Sequence, residues 1–197
     1  MNEYNEYIKI PKTINLLKAN VFAIIIMVPI TLVYLIPFYF IWNETITIAN
    51  LKTNLKSIDF TNNSLSSVSI TFIVLVIGII IHELIHGISW SIYATKGFTS
   101  IKFGVLWKML TPYCHCKEPL TVNAYIIGAV MPAIILGFIP AIIAMFIGNV
   151  LIIFFALIFT IVAVGDFMII NLIRKEPKDS LILDHPSEAG YFVLQKK

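Results

Sequence analysis

The chain has 197 residues, of which 58% are hydrophobic and 13% are charged, and its mean hydropathy is +0.89. A soluble domain of this length carries about 25% charged residues, so this composition excludes an ordinary soluble domain. It predicts instead a single membrane domain over residues 1–197, with the lipid bilayer covering much of the apolar surface. The net charge of +3 comes without a basic run interleaved with aromatics, and we expect no nucleic-acid partner.

Four stretches are long and apolar enough to cross a bilayer, which takes about 20 residues in a helix. The predicted spans are about residues 21–42, 68–95, 121–147 and 150–173. The first span lacks the short apolar region and cleavage site of a signal peptide, so we expect it to be retained. Pro132 and Pro140 predict a kinked third span, and Gly148 with Asn149 predicts a tight turn into the fourth.

Lysine and arginine residues indicate the orientation of these spans, because they favour the cytoplasmic side. They are more frequent in residues 1–20, 96–120 and 174–197 than in the loop 43–67. With four spans, these three regions share one side. The pattern therefore predicts a multi-pass protein of the cell membrane in which 1–20 and 174–197 are cytoplasmic tails.

The segment between the second and third spans alternates polar and apolar residues in the period of two that is typical of strands. It reads KGFTSIKFGVLWKML, with Gly97 and Gly104 as interruptions. We interpret it as a short strand pair at the cytoplasmic face. The predicted fold class is therefore mainly α: a polytopic membrane protein with four transmembrane helices and a short strand-like segment between helices 2 and 3.

The second span contains the sequence His82-Glu83-Leu84-Ile85-His86, which matches the pattern H-E-x-x-H. Residues four apart lie on one helix face, so both imidazoles can bind one Zn²⁺. Glu83 is then placed to act as the general base on a water molecule. The alternative is a pair of buried histidines bonded to carbonyl groups, which would leave the buried glutamate needing a partner of its own.

A catalytic zinc site usually has three protein ligands, so the chain should supply one more. Apart from the motif, the predicted spans contain one ionisable residue, Asp166. His82 lies roughly 21 Å from the outer end of its span and Asp166 roughly 24 Å from the outer end of its own, at 1.5 Å per residue. We therefore predict Asp166 as the third metal ligand, with Gly165 allowing close approach. The alternative is a carboxylate bonded to a polar neighbour, Asn171 or Thr160.

These residues resemble the site-2-protease-type intramembrane zinc metalloproteases. They are more similar still to a compact family of membrane proteins, the putative zincin peptidases. The resemblance covers about residues 68–175 and rests on the H-E-x-x-H motif, the strand-like GFTSIKFGVLW and the intramembrane aspartate. In the site-2 group the aspartate is followed by glycine, whereas here Gly165 precedes Asp166, which favours the compact family.

Other candidate residues have simpler interpretations. Cys114, His115 and Cys116 are adjacent donors that cannot readily converge on one metal ion, so we expect a plain cytoplasmic loop, although His115 could donate to an oxyanion. Trp90 and Tyr93, near the end of the second span, are expected to be membrane-interface anchors.

The sequence therefore predicts an intramembrane zinc metalloendopeptidase with Zn²⁺ on His82, His86 and Asp166 and with Glu83 as the catalytic base. Its expected partner is a membrane-anchored peptide or protein, cut near the cytoplasmic face. The peptide has to be extended, and residues 97–108 could receive it as an added strand. The alternatives are a metal-ion or proton-coupled transporter, and a non-catalytic metal-binding membrane protein.

Overall fold

The architecture of the chain is given by a computed structural model, which describes residues 7–13, 16–44, 64–106, 111–185 and 190–196. The helices are α1 (Leu16–Trp42), α2 (Ser64–Ser91), α3 (Val122–Pro132), α4 (Ile139–Ile147), α5 (Val150–Val162) and α6 (Val164–Ile173). The strands are β1 (Tyr7–Thr13), β2 (Ile101–Leu106), β3 (Thr111–Cys116), β4 (Leu120–Thr121), β5 (Leu181–Asp184) and β6 (Gly190–Lys196).

Three helical stretches are long and apolar enough to cross a membrane: Val21–Trp42, Val68–Ser91 and Val122–Ile147. The pair α5 and α6, bent by 42°, adds a fourth if the two helices form one span. These helices suggest an integral membrane protein. They agree with the stretches that the sequence predicted, although α2 ends at Ser91 rather than near residue 95.

The third apolar stretch is not a regular α-helix near Pro132 and Gly137. After Pro132 the helix widens into a π-helical segment, Ala133–Phe138, before α4 begins. A Cβ atom on Gly137 would lie only 2.2 Å from Oγ1 of Thr160, so glycine lets this segment pack directly against α5.

A tight turn then joins α4 to α5, as the sequence predicted. Gly148 adopts a left-handed conformation (φ 69°), which glycine reaches without strain. Asn149 caps α5 by accepting hydrogen bonds from the N–H groups of Leu151 and Ile152.

Strands β1, β5 and β6, from residues 7–13 and 181–196, form a four-stranded antiparallel sheet with β4, in the order β1-β6-β5-β4. The interpretation of residues 1–20 and 174–197 as cytoplasmic tails missed these strands. Strands β4 and β5 have only two and four residues, and β1 pairs with β6 across nearly the whole sequence, so local periodicity carries little signal for this sheet. At the other edge, β4 leads directly into α3, whose first turn is capped by Thr121.

A strand predicted after the second span is confirmed as β2, but its partner β3 lies in the following residues, which were expected to be a loop; the two form a hairpin that pairs Ile101 with Cys116. It is preceded by a 3₁₀ turn, Gly97–Ser100, and residues 107–110 lie outside the described part of the chain. Glu118 accepts hydrogen bonds from Ser100 and Thr95, which lower the pKa of its carboxyl to about 2. This carboxylate fixes the base of the hairpin to the end of α2.

Candidate metal centre

The structure brings the two histidines of the motif together on one face of α2. His82 and His86 are one helical turn apart, and each is only 3% exposed. Their rings meet edge to face, with centroids 4.9 Å apart. Both imidazoles are therefore held inside the protein rather than against lipid.

Asp166 completes the group from the bent pair of helices α5 and α6. It lies in the first turn of α6, just after the break at Ala163. Its Oδ2 atom is 3.2 Å from Nε2 of His82, and its Oδ1 atom is 3.3 Å from Nε2 of His86. The depth comparison made from the sequence thus identified residues that meet in the fold.

The spacing of these atoms fits a zinc ion. One ligand atom from each of the three residues lies within 4.8 Å of the other two, and no other described group of His, Cys, Asp and Glu does so. Ligands about 2.05 Å from a tetrahedral Zn²⁺ are separated by about 3.3 Å from one another. The two histidine–aspartate separations, 3.2 and 3.3 Å, match that value.

The hydrogen bonding of His86 also calls for a cation. Its Nδ1 atom lies 2.9 Å from the carbonyl oxygen of Gly128, which only accepts hydrogen bonds, so Nδ1 carries the proton. In the neutral ring, Nε2 then carries no proton, and its lone pair is directed at the carboxylate of Asp166. Two facing lone pairs repel unless a positive centre, a proton or a metal ion, lies between them. The donor set of two imidazoles and a carboxylate is one that zinc uses.

Solvent reaches the three candidate ligands unequally. The side chain of Asp166 is 25% exposed, whereas those of His82 and His86 are each 4% exposed. A small fourth ligand such as water can therefore approach from the side of Asp166.

Glu83 lies beside the histidines and is held by the hairpin. Its carboxylate accepts a hydrogen bond from the backbone N–H of Cys114, in β3. The N–H of Lys117 donates to the carbonyl oxygen of Ser100, across the hairpin. In an antiparallel pair, every second residue bonds to the partner strand, so the N–H groups of residues 115 and 113 point towards β2. The N–H of Cys114, between them, therefore points away from β2. The outer edge of β3 thus faces the motif.

Trp90 is a residue of the centre that the sequence analysis assigned wrongly. It was expected to be an interface anchor, but it is 4% exposed and its ring stacks on His86 at 5.0 Å. Its Nε1–H donates to the carbonyl oxygen of Tyr125. The spacing of four from His86 is the signal that was available, since it places Trp90 one turn further on the same helix face. Tyr93, 45% exposed, is compatible with an interface anchor.

Two glycines near the motif allow close packing, and Gly165 does not. A Cβ atom on Gly87 would lie 2.6 Å from the ring of Phe103, so Gly87 makes room for the hairpin. A Cβ atom on Gly165 would meet nothing within 4 Å, so no other helix makes the expected close approach there. The close approach is at Gly128 instead, where a Cβ atom would lie 2.1 Å from Trp90.

Cys114, His115 and Cys116 belong to a strand rather than to a loop. Both thiols are buried and unpaired, and burial raises the pKa of Cys116 to about 11. Because neighbouring strand residues face opposite sides, His115 points to the face opposite the two cysteines. The described residues therefore contain no soft-metal cluster here.

The matched family agrees with this geometry. The model of the family described as "Putative zincin peptidase" matches residues 75–181, more than half of the chain. The chain belongs to this zincin family. The match contains His82, His86 and Asp166 and both strands of the hairpin, and it suggests a metallopeptidase that uses zinc. No curated protein and no solved structure matches the chain.

The packing at Gly128 gives a prediction about metal binding by this zincin. Gly128→Ala should displace Trp90 and disturb the bond from His86, which lowers zinc affinity by roughly 10- to 100-fold, as the loss of a ligand's hydrogen-bond partner does. Gly165→Ala, beside Asp166 but in open space, should leave the affinity unchanged. Zinc affinity can be measured by competition with a chromophoric chelator. Equal affinities in the two variants would contradict the support assigned to Gly128.

Proposed function

We propose that the chain is an intramembrane zinc metalloendopeptidase that cuts membrane-anchored substrates near the cytoplasmic face, with His82, His86 and Asp166 as metal ligands. The observation that supports this most directly is the position of Glu83, beside the three candidate ligands and hydrogen-bonded to a strand edge. A site that only stores or binds metal needs no such carboxylate.

The metal ion and the side chain of Glu83 would have separate roles in the reaction. When bound, Zn²⁺ would polarise the carbonyl group of the peptide bond and make a water molecule more acidic. Glu83 removes a proton from the attacking water as the new carbon–oxygen bond forms, and delivers that proton to the nitrogen as the carbon–nitrogen bond breaks. The N–H of Cys114 fixes the carboxylate during both transfers.

The two histidines have unequal support for this role. The ring of His86 is fixed by a carbonyl oxygen on one edge and by an indole on one face. Nδ1 of His82 has no hydrogen-bond partner among the described residues. Since Nε2 of His82 lies 3.2 Å from Oδ2 of Asp166, a metal ion shared with Asp166 would be the group that fixes this ring.

A substrate has to be extended at the bond that is cut, because a helix hides its carbonyl groups in its own hydrogen bonds. The hairpin can receive an extended peptide as an added strand. The outer edge of β3 is taken by carboxylates, since Glu83 binds Cys114 and Asp184 binds Cys116. The outer edge of β2 pairs with no described strand. We therefore propose that one extended segment of the substrate pairs along β2, while the bond that is cut lies in a different segment of its chain.

With both termini in the cytoplasm, as the distribution of lysine and arginine indicates, the hairpin lies at the cytoplasmic face. Water and the substrate then have to travel only roughly 10–15 Å from that face to the motif, at 1.5 Å per residue of helix. The buried position of the histidines is thus compatible with hydrolysis.

Replacing Glu83 by Gln tests the proposed reaction. Glu83→Gln should keep zinc and lose at least about 100-fold in turnover, because general-base catalysis contributes about 10²- to 10⁴-fold. New N-termini among membrane proteins can be counted in cells that express the wild type or the variant. A transporter would instead show altered ion flux and no proteolysis in either form, and a metal-binding protein without activity would show no difference.

The substrate edge can be tested by removing one N–H group. In the register of the hairpin, the N–H of Val105 points away from β3, and its cross-strand partner is already a proline, Pro112. Val105→Pro should therefore leave the hairpin paired but weaken substrate binding, raising KM several-fold while zinc affinity stays unchanged. Val105→Thr, which keeps the N–H, is the matched control. Unchanged cleavage by Val105→Pro would place the substrate elsewhere.

A further inference from the structure

A series of contacts leads from His86 through α3 and away from the membrane. Gly128, in α3, accepts the Nδ1–H of His86, and Trp90 stacks on the same ring and donates to the carbonyl oxygen of Tyr125. The helix α3 therefore holds His86 at one edge and, through Trp90, at one face. The position of α3 sets the orientation of the imidazole.

The next contacts join α3 to the extramembrane sheet. The hydroxyl of Tyr125 donates to Oδ1 of Asp184, in β5, and Oδ2 of the same carboxylate accepts from the backbone N–H of Cys116 at 2.7 Å. Asp184 is 8% exposed. One buried carboxylate thus holds the start of α3 and the end of β3 together.

The series then returns to the motif along β3. Cys114 and Cys116 are two residues apart, so their N–H groups lie on the same edge of the strand. Asp184 binds the second of these groups and Glu83 binds the first. Since Glu83 and His86 lie on the same helix, the contacts form a closed ring, in which Asp184 connects the two arms.

We infer that Asp184 is a positioning residue of the metal centre: by holding Tyr125 and Cys116 at once, it sets the orientation of His86 through α3 and of Glu83 through β3. This inference rests on the proposed function, in which His86 binds the metal and Glu83 acts as base. Asp184 lies beyond residue 181, where the family match ends.

The consequence is that the four-stranded sheet is coupled to the centre. Asp184 is the last residue of β5, which pairs with β6, and β6 pairs with β1. A carboxylate that only stabilised the fold would lower the unfolding temperature when removed and leave the geometry of the bound metal unchanged. The two roles therefore differ in a measurable way.

The experiment uses the full chain in detergent, loaded with Zn²⁺ to measure affinity and with Co²⁺ to report ligand geometry by visible absorption. Asp184→Ala should lower zinc affinity about tenfold, towards the lower end of what losing a ligand's partner costs, and should shift the Co²⁺ spectrum. Asp184→Asn can still accept from Cys116 and donate to Tyr125, so it should restore most of both properties.

Two further variants keep the test decisive. Tyr125→Phe breaks only the arm to α3 and should also change the Co²⁺ spectrum, even if Asp184→Ala does not fold. Glu118→Gln is the matched control, because Glu118 fixes the base of the same hairpin but takes no part in the ring. It should lower the unfolding temperature and leave the spectrum unchanged.

The outcomes separate this inference from the proposed function. Wild-type affinity and spectrum in a folded Asp184→Ala and in Tyr125→Phe overturn the positioning role. Zinc and cobalt binding need no substrate, so they test Asp184 even if Glu83→Gln shows that the chain is not a peptidase. A wild type that binds neither metal contradicts the proposed function, and this inference with it.

Discussion

The metal centre depends on one carboxylate, that of Asp166, which contacts two imidazoles. Asp166 lies just after the break between α5 and α6, in the fourth apolar stretch. Asp166 reaches Nε2 of His82 and Nε2 of His86 at 3.2 and 3.3 Å, from the first turn of α6. The Nδ1 proton of His86 is donated to the carbonyl oxygen of Gly128, so Nε2 of the neutral ring carries no proton. The close contact between Nε2 and Asp166 therefore needs a positive charge between the two groups. A divalent cation meets that need, and a protein with a mainly apolar surface has few other ways to offset the charge of a partly buried carboxylate.

The rest of the fold keeps the partners of that carboxylate in place by close packing and by hydrogen bonds at strand edges. Glycine residues allow the approach: Gly87 admits Phe103 of the hairpin, and Gly128 admits Trp90. The outward N–H groups of β3 donate to the carboxylates of Glu83 and Asp184 instead of to another strand. These bonds protect the strand edge from pairing with other chains and hold Glu83 in place. The same elements therefore stabilise the hairpin and orient the groups that carry the proposed chemistry.

Much of this could be predicted from the sequence because the strongest signals are local or restricted by the membrane. The spacing of His82 and His86 fixes a shared helix face, and ionisable residues inside apolar spans are so few that Asp166 was the available partner. The four-stranded sheet could not be predicted, since β4 and β5 have only two and four residues and β1 and β6 are far apart in sequence. Gly128 and Asp184 were missed because their roles come from contacts between elements, which composition and periodicity do not show. For Trp90 the spacing from His86 indicates a shared helix face, but not that the ring is buried against α3.

The most direct test of the three-ligand centre is the metal content of purified protein, compared between the wild type and Asp166→Ala. Asp179→Ala, which removes an exposed carboxylate next to the sheet, is the matched control. We expect about one zinc ion per chain in the wild type and in the control, and little or none in Asp166→Ala, because a catalytic zinc site has about three protein ligands and would here keep two. Full zinc content in Asp166→Ala would contradict the account.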